Sequence, residues 1–171
     1  MGKNIVLVGF MGTGKTVTGH VIAHRLERLF IDMDQCIEER EGQAISDIFA
    51  TKGEAHFRAL ERALTQELSQ QEDLVISTGG GIVLNPANIE DFSRTGLVVC
   101  LLTDPNTILH RVSKQSHRPL LEGDDKSRKI QELWTKRRPL YEAIPLCIDT
   151  THHTAEDTAE EVIALYMGDA I

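Results

Sequence analysis

The chain has 171 residues, enough for one domain with a substantial core and too few for two ordinary ones. With 41% hydrophobic and 26% charged residues, the composition is globular rather than disordered. A net charge of −8 argues against a general nucleic-acid binder, and no apolar run approaches the ~20 residues of a membrane helix. Residues 1–4 lack the features of a signal peptide. Met1-Gly2 is followed by Ile5, Val6 and Leu7 where a myristoylation signal needs Ser or Thr. The expectation is a cytoplasmic protein without membrane association. Cys36, Cys100 and Cys147 are too scattered for a disulfide framework or a zinc site. Cys100 and Cys147 lie in apolar runs and read as small buried hydrophobes.

Short apolar runs alternate with helical patterns. Lys3–Gly9, Leu29–Asp32, Leu74–Thr78, Leu97–Thr103 and Leu146–Thr150 read as strands buried on both faces. Helices are predicted over Lys15–Arg28, Cys36–Arg40 with Ile45–Thr51, Glu54–Gln70, Pro105–Lys114, Asp124–Ala143 and Ala155–Met167. In the Glu54–Gln70 helix, Phe57, Leu60, Leu64 and Leu68 recur at helical spacing and form a core stripe. The alternation predicts one domain over 1–171, an α/β protein with a parallel sheet covered on both faces. Ligands of such sheets bind at the carboxyl ends of the strands.

The first strand runs directly into Gly9-Phe10-Met11-Gly12-Thr13-Gly14-Lys15-Thr16, the G-x-x-x-x-G-K-[ST] pattern. Its glycines let backbone N–H groups turn toward phosphate oxygens, and the following helix aims its positive end at them. Lys15 can reach the β and γ phosphates, and Thr16 offers a magnesium ligand.

Four further features bear on what receives the phosphoryl group. Asp32-Met33-Asp34 ends the second strand. As an extended segment it sends both carboxylates to one side and Met33 to the other, or it is an ordinary acidic loop. Ser77-Thr78-Gly79-Gly80-Gly81 exposes bare backbone after the third strand, as a ligand-binding turn or a merely flexible one. Arg58 lies off the core stripe with Glu54 and Glu61 on its helical face, where they orient the guanidinium or form a plain surface ion pair. Ser113–Lys126 loses helical periodicity around His117-Arg118-Pro119-Leu120-Leu121, the composition of a closing lid.

Together GFMGTGKT, Asp32-x-Asp34, GEAHFRALE, STGGG, RPLL at 118–121 and RRPLY at 137–141 resemble the shikimate kinase family over Lys3 to Thr150. The resemblance implies a three-layer α/β/α P-loop kinase fold with five parallel strands in the order 2-3-1-4-5. It also implies a mobile lid near 112–126 and a substrate-binding helical segment near 33–61. The implied reaction moves the γ-phosphoryl group of ATP to the 3-hydroxyl of shikimate, with one magnesium ion, in a monomer.

By resemblance, Gly12, Thr13, Gly14, Lys15, Thr16, Val17, Arg111 and Arg118 hold the nucleotide, and Thr16 and Asp32 hold the metal. Lys15, Asp34 and Arg118 are catalytic. Asp34, Arg58, Gly79, Gly80, Gly81 and Arg137 bind shikimate. The loop at Thr151–Thr154 borders the adenine. Arg137 is chosen over Arg138 because the family's arginine precedes Pro-Leu-Tyr by one residue. Trp134 reads as packing, Pro145 as a helix stop, and His152 and His153 as solvated. The competing readings are another small-molecule kinase, such as a gluconate kinase, and a non-catalytic nucleotide binder.

Overall fold

The computed structural model describes residues 2–115 and 123–169. Its centre is a five-stranded, wholly parallel sheet in the order β2-β3-β1-β4-β5. The strands are β1 (Asn4–Gly9), β2 (Leu29–Asp32), β3 (Leu74–Ser77), β4 (Gly96–Leu102) and β5 (Cys147–Asp149). Among the described residues eight α-helices accompany them: α1 (Lys15–Leu26), α2 (Met33–Glu41), α3 (Ile45–Lys52), α4 (Glu54–Leu68), α5 (Pro86–Thr95), α6 (Pro105–Gln115), α7 (Gly123–Glu142) and α8 (Ala155–Asp169).

Alternation along the strands divides the core in two. Ile5, Leu7, Val75, Val99 and Leu101 face α1 and α8, meeting Ile22, Ala23, Ala159 and Val162. Val6, Val8, Ile76, Val98 and Cys100 face the other six helices, whose contributions include Met33, Ile48, Phe57, Phe92, Ile108 and Trp134. Phe57, Leu64 and Leu68 of the α4 stripe are buried, and Leu60 packs half-buried against them. Trp134 is also core, tilted against Phe10 at 5.7 Å and stacked on Tyr141 at 6.1 Å. None of the described helices is long and apolar enough to cross a membrane.

Four expectations need correction. Strands β2 and β5 are sheet edges, so neither is buried on both faces. Cys147, on β5, is exposed for the same reason. The segment after β2 is not extended: Asp32 caps α2 by accepting from the Gln35 N–H at 3.1 Å, and Met33 and Asp34 form the first helical turn. Met33 nevertheless points into the core, fully buried. Helix α5 was not anticipated, although Asn85 as cap and Pro86 at the first position are its start signal.

Candidate active site

Three loops leave the carboxyl ends of β1, β2 and β3 side by side, where the strand order reverses. The loop after β1 turns on Gly12 (φ 72°) and Gly14 (φ 94°), both in the left-handed region that side chains disfavour. No side chain caps α1, so the first N–H groups of the helix remain open to a ligand. Lys15 folds back over the loop and donates to the carbonyls of Gly9 (2.7 Å) and Phe10 (2.8 Å). Burial pushes its pKa down to about 8, opposed by the carboxylates of Asp34 and Asp32.

Thr16 donates to the second oxygen of Asp32 at 3.1 Å, so strand β2 and the phosphate loop share one polar cluster. Lys15, Thr16, Asp32, Asp34 and Gly80 line a common cleft. Burial raises the pKa of Asp34, and the neighbouring Asp32 raises it further, while Lys15 and Arg58 pull it down. The resulting carboxylate holds its proton more readily than an exposed one. It is suited to exchange a proton with a bound hydroxyl.

The glycine triplet has a steric explanation at two of its three positions, Gly79 and Gly81. A Cβ on Gly79 would stand 2.7 Å from Asp34 Oδ1 and 3.2 Å from Glu61 Oε2. One on Gly81 would collide with the Arg58 guanidinium, and one on Gly80 would lie 3.8 Å from Arg137 Nη1. The three residues therefore form a floor against which Asp34, Arg58 and Arg137 gather. Arg58 pairs with Glu61 (3.0 Å) and Glu54 (3.4 Å), and its Nε is buried without a partner. Glu61 is only 2% exposed, and its pKa is raised by burial against the opposing pull of Arg58. Arg138 instead points along the surface to Glu142 at 2.7 Å, which separates the two adjacent arginines geometrically.

Sequence reasoning gave Tyr141 no role, yet its hydroxyl donates to the Gly80 carbonyl at 2.5 Å. Its ring packs edge-on to Phe10 of the phosphate loop. Burial pushes its pKa up to about 12, so it stays a donor. The RRPLY motif contained this residue, but no periodicity distinguishes a tyrosine that fixes a distant carbonyl from one that only packs.

On the far side of the phosphate loop lies a second cleft of about 330 Å³, lined by Gly12, Gly14 and Val17 and by Arg111, Thr150 and His153 among others. Arg111 bonds the carbonyls of Gly12 (3.2 Å) and Thr150 (2.8 Å), and the Thr150 hydroxyl donates to the Thr13 carbonyl at 3.1 Å. These bonds tie the loop after β5 to the phosphate loop. His153, read as solvated, is half-buried in this cleft with Nδ1 3.8 Å from Glu161. Of the region expected to be a lid, residues 112–115 end α6 and 123–126 begin α7. Its middle, 116–122 with Arg118, lies outside the described residues.

The shikimate kinase family model matches residues 11–166. A shikimate kinase of Caldanaerobacter subterraneus subsp. tengcongensis is 44% identical over 165 residues, 96% of this chain and 96% of that protein. Among solved structures, shikimate kinase from Acinetobacter baumannii in complex with shikimate superposes with a TM-score of 0.88 at 36% identity, covering 99% of this chain and 95% of that one. A gluconokinase from Sinorhizobium meliloti 1021 shares only the fold, with a TM-score of 0.62 at 18% identity over 97% and 94% of the two chains. With a phosphate loop, an acidic pair and an arginine-lined glycine floor at one end of its sheet, and with this similarity along nearly its whole length, the chain belongs to the shikimate kinase family.

Proposed function

We propose that the chain transfers the γ-phosphoryl group of ATP to the 3-hydroxyl of shikimate, giving shikimate 3-phosphate and ADP on the route to chorismate and the aromatic amino acids. The observation that carries this reading is the glycine floor, which packs Asp34, Arg58 and Arg137 around one space beside the phosphate loop. Two guanidiniums and a proton-accepting carboxylate are the complement of a small acid bearing hydroxyls. The relative solved with shikimate bound supports the choice of acid.

In this reading the loop N–H groups from Gly12 to Thr16 and the Lys15 ammonium hold the β and γ phosphates. Val17 and Arg111 border the nucleotide. Lys15 leaves the Gly9 and Phe10 carbonyls when phosphate oxygens replace them. Arg58 and Arg137 grip the shikimate carboxylate, and the unpartnered Arg58 Nε supplies a donor already free of competing bonds. Asp34 orients the 3-hydroxyl and takes its proton as the bond to phosphorus forms. Gly79, Gly80 and Gly81 let the ring approach the backbone, and Tyr141 holds the Gly80 carbonyl in place. Arg118 is assigned to the transferring group by resemblance alone.

The residues fit a magnesium ion. Thr16 and Asp32 present two hard oxygens 3.1 Å apart at the mouth of the loop. Magnesium takes few protein ligands and completes its shell with water and phosphate oxygens. When bound, the ion neutralises charge on the β and γ phosphates. We take the working unit to be the cytoplasmic monomer.

The test is a coupled assay of ADP release with shikimate or gluconate as acceptor. Turnover with shikimate alone supports the assignment, turnover with gluconate alone overturns it, and nucleotide binding without turnover of either identifies a non-catalytic binder. Arg58→Ala separates the roles within the site: the shikimate KM should rise with the ATP KM little changed.

A further inference from the structure

Cys100 and Cys147 occupy partner positions on the adjacent parallel strands β4 and β5. Neighbouring strands run about 4.8 Å apart, inside the Cα separation of roughly 4.4–6.8 Å that a disulfide spans. Partner positions in a parallel pair present their side chains to the same face. Here that face is the one covered by α7: Cys100 packs in the cluster with Tyr141, and the Cys147 thiol donates to the Ile144 carbonyl (3.0 Å) just beyond the end of α7. Each thiol lies close enough to the other to influence its titration. Cys100 is fully buried, whereas Cys147 is exposed on the sheet edge. The third cysteine, Cys36, lies apart on α2.

We infer that Cys100 and Cys147 form an oxidisable dithiol, with Cys147 as the attacking thiol and Cys100 as the resolving one, and that two-electron oxidants of the hydroperoxide class join them as a disulfide. The Cys147 thiolate attacks one oxygen of hydrogen peroxide, the O–O bond breaks, and the departing hydroxide takes a proton to become water. The Cys100 sulfur then attacks the Cys147 sulfenic acid. The S–O bond breaks, and the oxygen leaves as a second water carrying the Cys100 proton. Two thiols lose two electrons and two protons, and one peroxide becomes two waters. The order follows from access: of the two, Cys147 is exposed and Cys100 buried, and burial raises both thiols' pKa values, that of Cys100 the more strongly. Strand β5 continues directly into the Thr150–Thr154 loop of the second cleft, so the bond pins that loop's root to the central sheet.

The experiment treats the folded chain with hydrogen peroxide, blocks remaining thiols, and maps disulfides by mass spectrometry of peptides. The expected result is a Cys100–Cys147 link, with Cys36 still alkylated and full reversal by dithiothreitol. The oxidised form should unfold at a temperature higher by on the order of 5–10 °C, because the bond closes a long loop without distorting the native register. Cys147→Ser, a change at an exposed position, should abolish the link and the shift. Cys100→Ala should instead leave a sulfenic acid on Cys147 that dimedone traps. Retention of both free thiols after oxidation overturns the inference. So does a link to Cys36, or a Cys100–Cys147 link that lowers the unfolding temperature, since such a bond could form only by breaking the native pairing.

Discussion

Substituting Gly81 with alanine tests the substrate site without touching any residue that carries chemistry. The backbone of Gly81 sits at φ −90° and ψ 7°, which alanine adopts without penalty from a left-handed conformation. The added methyl would overlap the Arg58 guanidinium, 2.6 Å from its central carbon. The obstacle is the end of a long side chain, so the arginine moves rather than the loop. Moving it strains its bonds to Glu61 and Glu54 and withdraws it from the carboxylate it is proposed to grip. A hydrogen bond to a charged group contributes about 1.5–3 kcal/mol, so the shikimate KM should rise ~10–100-fold. The ATP KM should stay within about twofold, since the phosphate loop is unaltered. The unfolding temperature should fall by no more than about 4 °C, the shift that ~1 kcal/mol gives at this chain length. Coupled steady-state kinetics with each substrate varied reads all but the last of these. A Gly81→Ala enzyme with an unchanged shikimate KM would refute the glycine floor.

Asp34→Asn should lower kcat at least ~100-fold, in line with lost proton acceptance, with the fold retained by circular dichroism. Because burial and Asp32 raise the pKa of Asp34, the wild-type rate should fall with decreasing pH on a limb above the ordinary carboxylate range, read from a kcat/KM profile. Lys15, with its pKa lowered to about 8, is charged below that pH and neutral above it. The Kd for ATP, measured by calorimetry, should therefore rise ~10-fold between pH 7 and pH 9, and Lys15→Met should flatten the trend. Tyr141→Phe removes one hydrogen bond to Gly80 worth about 1 kcal/mol, and should raise the shikimate KM ~5-fold with little effect on ATP.

The sheet was legible because its inner strands are short apolar runs set between helical patterns, and β1 and β3 are buried throughout as such runs predict. The edges were misread for a physical reason: a strand with one neighbour needs apolar residues on fewer sides, and Leu29 and Cys147 remain exposed. The phosphate loop was legible because its glycines and lysine act locally. The Asp32–Asp34 pair lines the cleft beside the phosphate loop, but by a helical turn and not by strand alternation. Two aspartates separated by one residue read equally as strand alternation or as cap and first helical turn, and only the bond from Gln35 decides between them. Helix α5 was missed although Asn85-Pro86 announces it, because its few apolar residues, Ile89 and Phe92, make a weak stripe. Arg137 and Tyr141 were beyond local reading. Tyr141 bonds the Gly80 carbonyl and Arg137 lies near the same glycine, both from far along the chain, an approach that only the packing of α7 on the sheet creates.

The most direct measurement of the central claim is ADP release by the purified chain with ATP and magnesium, with and without shikimate. ADP formation that depends on shikimate, saturates with it and yields shikimate 3-phosphate by mass spectrometry is the predicted result. ADP release at the same rate without shikimate, or with gluconate in its place, would contradict the account.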